Sequence, residues 1–129
     1  MKRNAVFAFI AIVFMACQES LEDRCARECK AYTEKKCPAR IGDNTMIDSL
    51  VFNKDTHTLS YHYTLSGNAD SKEQVMALDA KDLLTKQLRN DPSTKTYKDA
   101  GYSFRYVYHS EKDKGEILVE VTITEKDYK

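Results

Sequence analysis

Three cysteines, Cys25, Cys29 and Cys37, carry the first candidate chemistry in this sequence. A thiolate can bind a metal or attack a disulfide, but the CxxxC spacing differs from the CxxC spacing of redox-active pairs. Cys25 and Cys29 lie one turn apart in a predicted helix, where Cβ atoms about 5–6 Å apart would strain a disulfide. Because Pro38 ends that helix, the sequence favours a bridge from Cys37 to Cys29, with Cys25 as the alternative partner.

Two histidines offer a second kind of chemistry. His62 and His109 are predicted on the polar faces of two strands, and Glu116 and Glu120 fall on the last strand. If those strands are neighbours, the side chains could bind zinc. A small metal-dependent hydrolase or metal-handling protein that uses the His62/His109 face is therefore the alternative function. No HxH or HExxH spacing is present, so we assign no metal ligand from the sequence.

The sequence contains no arrangement that is typical of an enzyme. Ser110 follows His109, but no GxSxG turn would expose it as a nucleophile. The four glycines are isolated from one another, so they cannot form a phosphate-binding loop. We therefore predict no catalytic residue and no cofactor.

Hydrophobic periodicity predicts the elements that would position these residues. An amphipathic helix over residues 20–36 precedes a hairpin, a second helix from Ser71 to Asn90, and a second hairpin. The predicted strands are residues 45–53, 57–66, 102–110 and 115–125. We expect one α+β domain with the order α-ββ-α-ββ. A single four-stranded antiparallel sheet of two hairpins would carry the helices on one face.

The apolar faces of these elements predict the core. The second helix has one continuous apolar stripe, which we expect to be buried: Met76, Ala80, Leu83, Leu84 and Leu88. The chain has eight tyrosines and no tryptophan. Five of them fall on core faces of strands: Tyr61, Tyr63, Tyr102, Tyr106 and Tyr108. Half-buried strands favour such residues, although the same pattern would suit an aromatic groove for a sugar or peptide.

The N-terminus resembles the signal of bacterial lipoproteins. Lys2 and Arg3 precede an unbroken apolar run over residues 5–16, which is too short to span a bilayer. The run ends at Ala16-Cys17, like a lipobox. The resemblance implies a signal peptide over residues 1–16 and lipidation of Cys17. Residues 17–40 would then form a lipidated N-terminus, tether and helix, and residues 41–129 the α+β domain. An ordinary secretory signal is the alternative.

The resemblance also implies a cellular location. In that family, aspartate after the cysteine often retains the protein at the inner membrane, so Gln18 favours the outer membrane. The anchor would attach the protein to the cell envelope through acyl chains. In an oxidising compartment the remaining three cysteines form at most one internal bridge. The charges are balanced, with 20 basic and 20 acidic side chains, and no basic patch indicates nucleic-acid binding.

The sequence as a whole favours binding over catalysis. We expect a small lipid-anchored interaction module whose partner is an envelope protein or a glycan, including an incoming enzyme or toxin that it inhibits. A sheet covered by helices on one side leaves its other face free for a partner. The candidate binding residues are therefore those on the polar strand faces: Ser60, His62, Thr64, Arg105 and His109.

Overall fold

The computed structural model describes residues 19–129, which form one open sheet with helices on one face. The predicted signal peptide and Cys17 lie outside the described residues. The strands are β1 (Ala39–Gly42), β2 (Thr45–Asn53), β3 (Thr58–Leu65), β4 (Ser103–Ser110) and β5 (Ile117–Ile123). The α-helices are α1 (Leu21–Lys36), α2 (Lys72–Ala77), α3 (Ala80–Arg89), α4 (Lys95–Asp99) and α5 (Glu125–Tyr128). Within residues 19–129, no helix is long and apolar enough to cross a membrane.

The sheet corrects the prediction of four antiparallel strands. It has five strands in the order β1-β2-β3-β4-β5, and the additional edge strand β1 lies between the first predicted helix and the first predicted strand. The central pair, β3 and β4, is parallel, with Thr58 opposite Ser103 and Leu65 opposite Ser110. The other pairs are antiparallel. The α+β class is confirmed, but the sheet is mixed.

The parallel pair follows from the path of residues 66–102. A parallel connection needs a crossover of a dozen or more residues, usually helical, because the chain must return to the starting end of the first strand. The segment that contains α2, α3 and α4 makes that return. It delivers Ser103 beside the start of β3, where the Ser103 N–H donates to the His57 carbonyl at 2.9 Å.

The two predicted helix starts, near residue 20 and at Ser71, are confirmed, and a third side-chain cap begins a short turn. Ser20 caps α1 by accepting a hydrogen bond from the Asp23 N–H at 3.1 Å, and Ser71 caps α2 by accepting from Gln74 N–H. Asp91 caps a short 3₁₀ turn over Pro92–Thr94, accepting from the Ser93 N–H at 2.9 Å. These signals were readable because each involves side chains and backbone within one turn.

The second predicted helix is divided in two, which corrects its expected buried stripe. Asp79 accepts a hydrogen bond from the Asp82 N–H and begins a new helix, α3, at Ala80. The break turns Met76 and Leu83 outward, so that they are 69% and 47% exposed. Val75 is buried in place of Met76.

Two irregularities in strand register redirect side chains. The β2–β3 register shifts between Ile47 and Ser49, at Asp48, the residue that interrupts the alternation in the sequence. The β4–β5 register shifts between Tyr108 and His109. As a result Leu118 packs in the interior, whereas Ile117 is 42% exposed. The two-residue alternation in the sequence predicts Ile117 on the buried face with Val121 and Ile123, and this prediction is wrong.

The main core lies between the helices and one face of the sheet. Phe104 and Ile123 are fully buried at its centre, and helix α1 contributes Cys25 and Cys29. Helices α3, α4 and α5 add side chains to the same cluster: Leu84, Leu88, Tyr97 and Tyr128. These helices pack on one face, as expected, and the alternate side chains of the strands form the opposite face.

Candidate functional site

The sheet face opposite the helices carries all five residues that the sequence singled out. Ser60, His62 and Thr64 alternate with the core residues of β3, and Arg105 and His109 do the same on β4. The parallel register sets Ser60 opposite Arg105 and Thr64 opposite His109. All five side chains are half-buried. We call this set of residues the polar face.

Hydrogen bonds and an ion pair connect the polar face to the neighbouring strands. The Thr64 hydroxyl donates to Asp48 Oδ2 at 2.6 Å, and Arg105 forms an ion pair with Glu120. Val107 lies on the same face of β4 and is nevertheless fully buried. The polar side chains around it therefore form a layer over the sheet. The sequence marked Asp48 only as an interruption of the alternation and did not indicate its contact with Thr64.

The histidines form a close pair within this layer. His62 Nδ1 lies 3.2 Å from His109 Nε2, and the ring centroids are 5.5 Å apart. Burial, together with the neighbouring His109 and Arg105, lowers the pKa of His62. Among residues 19–129, no group of three or more histidine, cysteine or acidic side chains is arranged to hold a metal. The predicted His/His/Glu cluster is therefore only a histidine pair in this structure.

On the helix side, four tyrosines form a row across β3 and β4. Tyr61 stacks on Tyr106 with centroids 5.0 Å apart, and Tyr63 stacks on Tyr108 at 4.6 Å. The ring planes differ by 8° and 14°. Burial raises the pKa of all four phenols, so the hydroxyls are protonated donors at neutral pH. The sequence placed these tyrosines on this face correctly.

One end of the tyrosine row opens into an apolar cavity of about 330 Å³. No charged side chain lines it, and its walls come from α2, α3 and the ends of β3, β4 and β5. Leu78 and Leu83 line the cavity and are 59% and 47% exposed, which is unusual for large apolar side chains beside a cavity. Exposed Met76 lies on the neighbouring α2. We call this cavity with its exposed leucines the apolar groove.

The other end of the row opens into a second cavity, of about 380 Å³, beside α1. Tyr63 lines this cavity and Tyr108 lines the apolar groove, so the stacked pair joins the floors of the two. Cys25 and Cys29 form part of its α1 wall. The Tyr97 hydroxyl at its edge donates to Glu28 Oε2 at 2.7 Å. The sequence raised the idea of an aromatic groove, but it gave no sign of these cavities.

The predicted disulfide does not form in the structure. Cys25, Cys29 and Cys37 are all free thiols. Cys25 and Cys29 point into the core from α1, whereas half-buried Cys37 follows the end of that helix. Contact with Cys29 and burial raise the pKa of the Cys25 thiol, and burial and the nearby Asp48 raise that of Cys37. Contact with Cys25 lowers the pKa of the Cys29 thiol, but Cys29 is buried in the core, where a reagent cannot reach it.

Thiol labelling checks this arrangement. Among the three cysteines of residues 19–129, we expect iodoacetamide to modify Cys37 alone in the folded protein, because Cys25 and Cys29 are 0% and 4% exposed. In denaturant, without a reducing agent, all three should be modified. Intact mass and peptide mapping measure the labels. A denatured protein that leaves Cys37 and one partner unlabelled until reduction would contradict the free-thiol structure.

Comparisons with known proteins give a family and a fold. The model of a family described as "Domain of unknown function (DUF8479)" matches residues 20–119, from the start of α1 into β5. No curated protein matches the sequence.

Three solved structures share the fold. A candidate secreted protein from Pseudomonas aeruginosa matches with a TM-score of 0.66 and 9% identity, over 87% of this chain and 100% of that one. The pilotin EpsS from the Vibrio vulnificus type 2 secretion system matches at 0.60 and 12% identity, over 84% and 92% of the two chains. The type II secretion pilotin AspS from Vibrio cholerae matches at 0.58 and 15% identity, over 83% and 91%.

Proposed function

The chain belongs to the family described as a domain of unknown function (DUF8479), and we propose that it is a lipid-anchored envelope protein that binds an apolar segment of a protein partner. The observation that carries the proposal is the apolar groove. Its rim exposes Leu78 and Leu83 beside a cavity without charged walls. Concave, mostly apolar surfaces with exposed anchoring residues are where binding energy concentrates.

The groove favours a protein segment over the glycan that the sequence left open. Glycans commonly stack on aromatic ring faces, but Tyr61 with Tyr106 and Tyr63 with Tyr108 each cover one face of the stacked partner. Within residues 19–129 the hydroxyls of these tyrosines have no hydrogen-bond acceptor, so they can donate to carbonyl or side-chain oxygens of a bound peptide. A bound peptide that places an apolar side chain in the groove and polar groups over the tyrosine row would complement both surfaces.

The solved structures support an envelope partner. Two proteins of the same fold are pilotins of type II secretion systems, and a third is a candidate secreted protein. Type II secretion systems are therefore one setting in which proteins of this fold occur. For this chain we propose a partner in a secretion or envelope assembly, without assigning which one.

The proposed anchor would keep the groove near a membrane. Only Gln18 and Glu19 separate Cys17 from Ser20, the N-cap of α1. An extended chain spans at most about 3.6 Å per residue, so α1 would begin within about 11 Å of the acylated residue. We therefore expect the partner to present its apolar segment close to the membrane, with Gln18 favouring the outer membrane.

Site-specific photo-crosslinking in living cells tests the groove. A photoreactive residue at position 83 should give a discrete protein adduct, identified by mass spectrometry, because Leu83 lies at the rim of the cavity. The matched control is position 86, where exposed Lys86 on the same helix pairs with Asp82. We expect the additional change Leu78→Glu to reduce the adduct about tenfold, since it places a charge in an apolar contact.

The outcomes separate the groove from the polar face. A third crosslinker at Ser60 probes the surface that the sequence favoured. Equal adducts from positions 83 and 86, or an adduct at position 83 that survives Leu78→Glu, would contradict binding in the groove. A discrete adduct from position 60 alone would assign the partner to the polar face instead.

A further inference from the structure

The histidine pair of the polar face has a geometry that suits a metal ion. His62 lies on β3 and His109 on the adjacent parallel strand β4, so hydrogen-bonded backbone holds both side chains. The facing atoms, His62 Nδ1 and His109 Nε2, are 3.2 Å apart. Histidine is a common transition-metal ligand and binds through one ring nitrogen. The helices pack on the other side of the sheet, so an ion can approach this face from solvent.

The nitrogen separation matches the distance between two ligands of one ion. Zinc binds histidine nitrogen at about 2.0–2.1 Å, so two nitrogens at angles of about 90–110° around it are about 2.9–3.4 Å apart. The observed 3.2 Å falls in that range. We propose that His62 Nδ1 and His109 Nε2 bind a divalent transition-metal ion of the zinc class. In the hydrogen-bonded pair the two nitrogens face each other, so the rings must rotate to turn both lone pairs toward the ion.

Both histidines can bind the ion in their neutral forms. Without the ion, the N–H of one ring donates to the lone pair of the other. When the ion binds, the donor ring carries its proton on the opposite nitrogen, so two neutral histidines bind without net proton release. The lowered pKa of His62 favours the neutral form at pH 7. Protons and the ion compete for the same ring nitrogens, so binding should weaken in acid.

The charges around the pair come from three strands. Asp48 of β2 and Glu120 of β5 attract a cation toward His62, whereas Arg105 of β4 opposes it. Asp48 is engaged by Thr64 and Glu120 by Arg105, and within residues 19–129 no third protein ligand is arranged beside the histidines. Water therefore completes the coordination. This is an open site of modest affinity, unlike a closed structural zinc site with four protein ligands.

Calorimetric titration of the purified full chain with Zn²⁺ at pH 7.5 tests the site. All proteins carry Cys17→Ser and Cys37→Ser, so that exposed thiols do not bind the ion. We expect one Zn²⁺ per chain, with affinity at least about tenfold weaker in His62→Gln and in His109→Gln. The control is His57→Asn, at the third histidine of the chain. His57 has a φ of +50°, which asparagine tolerates, and its variant should bind normally.

Two further measurements distinguish a lost metal site from an unfolded variant and identify the histidines that bind the ion. Thermal unfolding should show each variant to be folded, since both histidines are half-buried and lie away from the main core. Histidine ring NMR signals of His62 and His109, but not His57, should shift with Zn²⁺, and binding should weaken at pH 5.5. Failure to bind, or binding that survives both substitutions together, would overturn the proposal. The groove is unaffected by either result, because it lies on the other face of the sheet.

Discussion

Replacing Phe104 by alanine is expected to destabilise the protein by about 3–5 kcal/mol, the usual cost of removing a buried phenylalanine ring. Phe104 is fully buried at the centre of the core. Its ring packs edge-on against Tyr128 of the last helix, with centroids 5.9 Å apart. The substitution removes apolar contacts and leaves a cavity that rigid strands on both sides cannot fill. Urea unfolding followed by circular dichroism measures the change in the free energy of unfolding.

A matched control is Val51→Ala in β2. Val51 is 53% exposed, so its truncation should cost no more than about 1 kcal/mol, mainly through strand propensity. Equal losses for Phe104→Ala and Val51→Ala would mean that the core is not centred on Phe104. Because Phe104 precedes the stacked tyrosines on β4, a fully unfolded variant would also lose the apolar groove.

Replacing Lys98 by methionine is expected to cost about 1.5–3 kcal/mol, the range for hydrogen bonds to charged groups. The Lys98 ammonium donates to the carbonyls of Leu88 at 2.5 Å, Arg89 at 3.3 Å and Asp91 at 3.0 Å. Leu88 and Arg89 are the last residues of α3, and Asp91 begins the next turn. The Leu88 carbonyl also accepts from the Asp91 N–H at 3.2 Å, and the negative end of the helix dipole favours a cation there. Methionine retains most of the apolar chain but offers no donor. Thermal and urea unfolding measure the loss.

Lys95→Met serves as the control on the same helix. Lys95 forms an exposed ion pair with Asp99 at 2.7 Å, and solvent screens such pairs strongly. Its substitution should therefore change stability far less than Lys98→Met. If the two variants lose equal stability, the capping of α3 by Lys98 contributes little. Since α3 carries Leu83, a frayed α3 should also weaken the crosslink proposed for position 83.

The two proposed binding sites lie on opposite faces of the sheet. The helix side has apolar walls, exposed leucines and a tyrosine floor, and it suits a peptide segment. The opposite side has a histidine pair and charged neighbours, and it suits a cation. Each face can be altered without entering the main core, so variants of one face leave the other testable. The sequence favoured the second face for binding because polar residues on an uncovered sheet are visible as a simple alternation.

Local chemistry in the sequence determined the element boundaries that depend on near neighbours. Ser71 caps α2 by accepting from the Gln74 N–H three residues later, so the start of that helix could be predicted. The alternation of Leu59, Tyr61 and Tyr63 likewise placed one face of β3 in the core. It also placed His62 on the other face. Such patterns depend only on the geometry of a strand or a helical turn.

Tertiary structure alone decided how these elements meet. The return path of the helical segment made β3 and β4 parallel, and only that register brings His62 within 3.2 Å of His109. The helix break at Asp79 exposed Leu83, and the register shift at Tyr108 buried Leu118 in place of Ile117. Each outcome depends on residues far apart in the chain, whose packing free energies compete with local preference. The local pattern of the sequence therefore specifies the faces of the elements, whereas long-range packing decides which faces form a site.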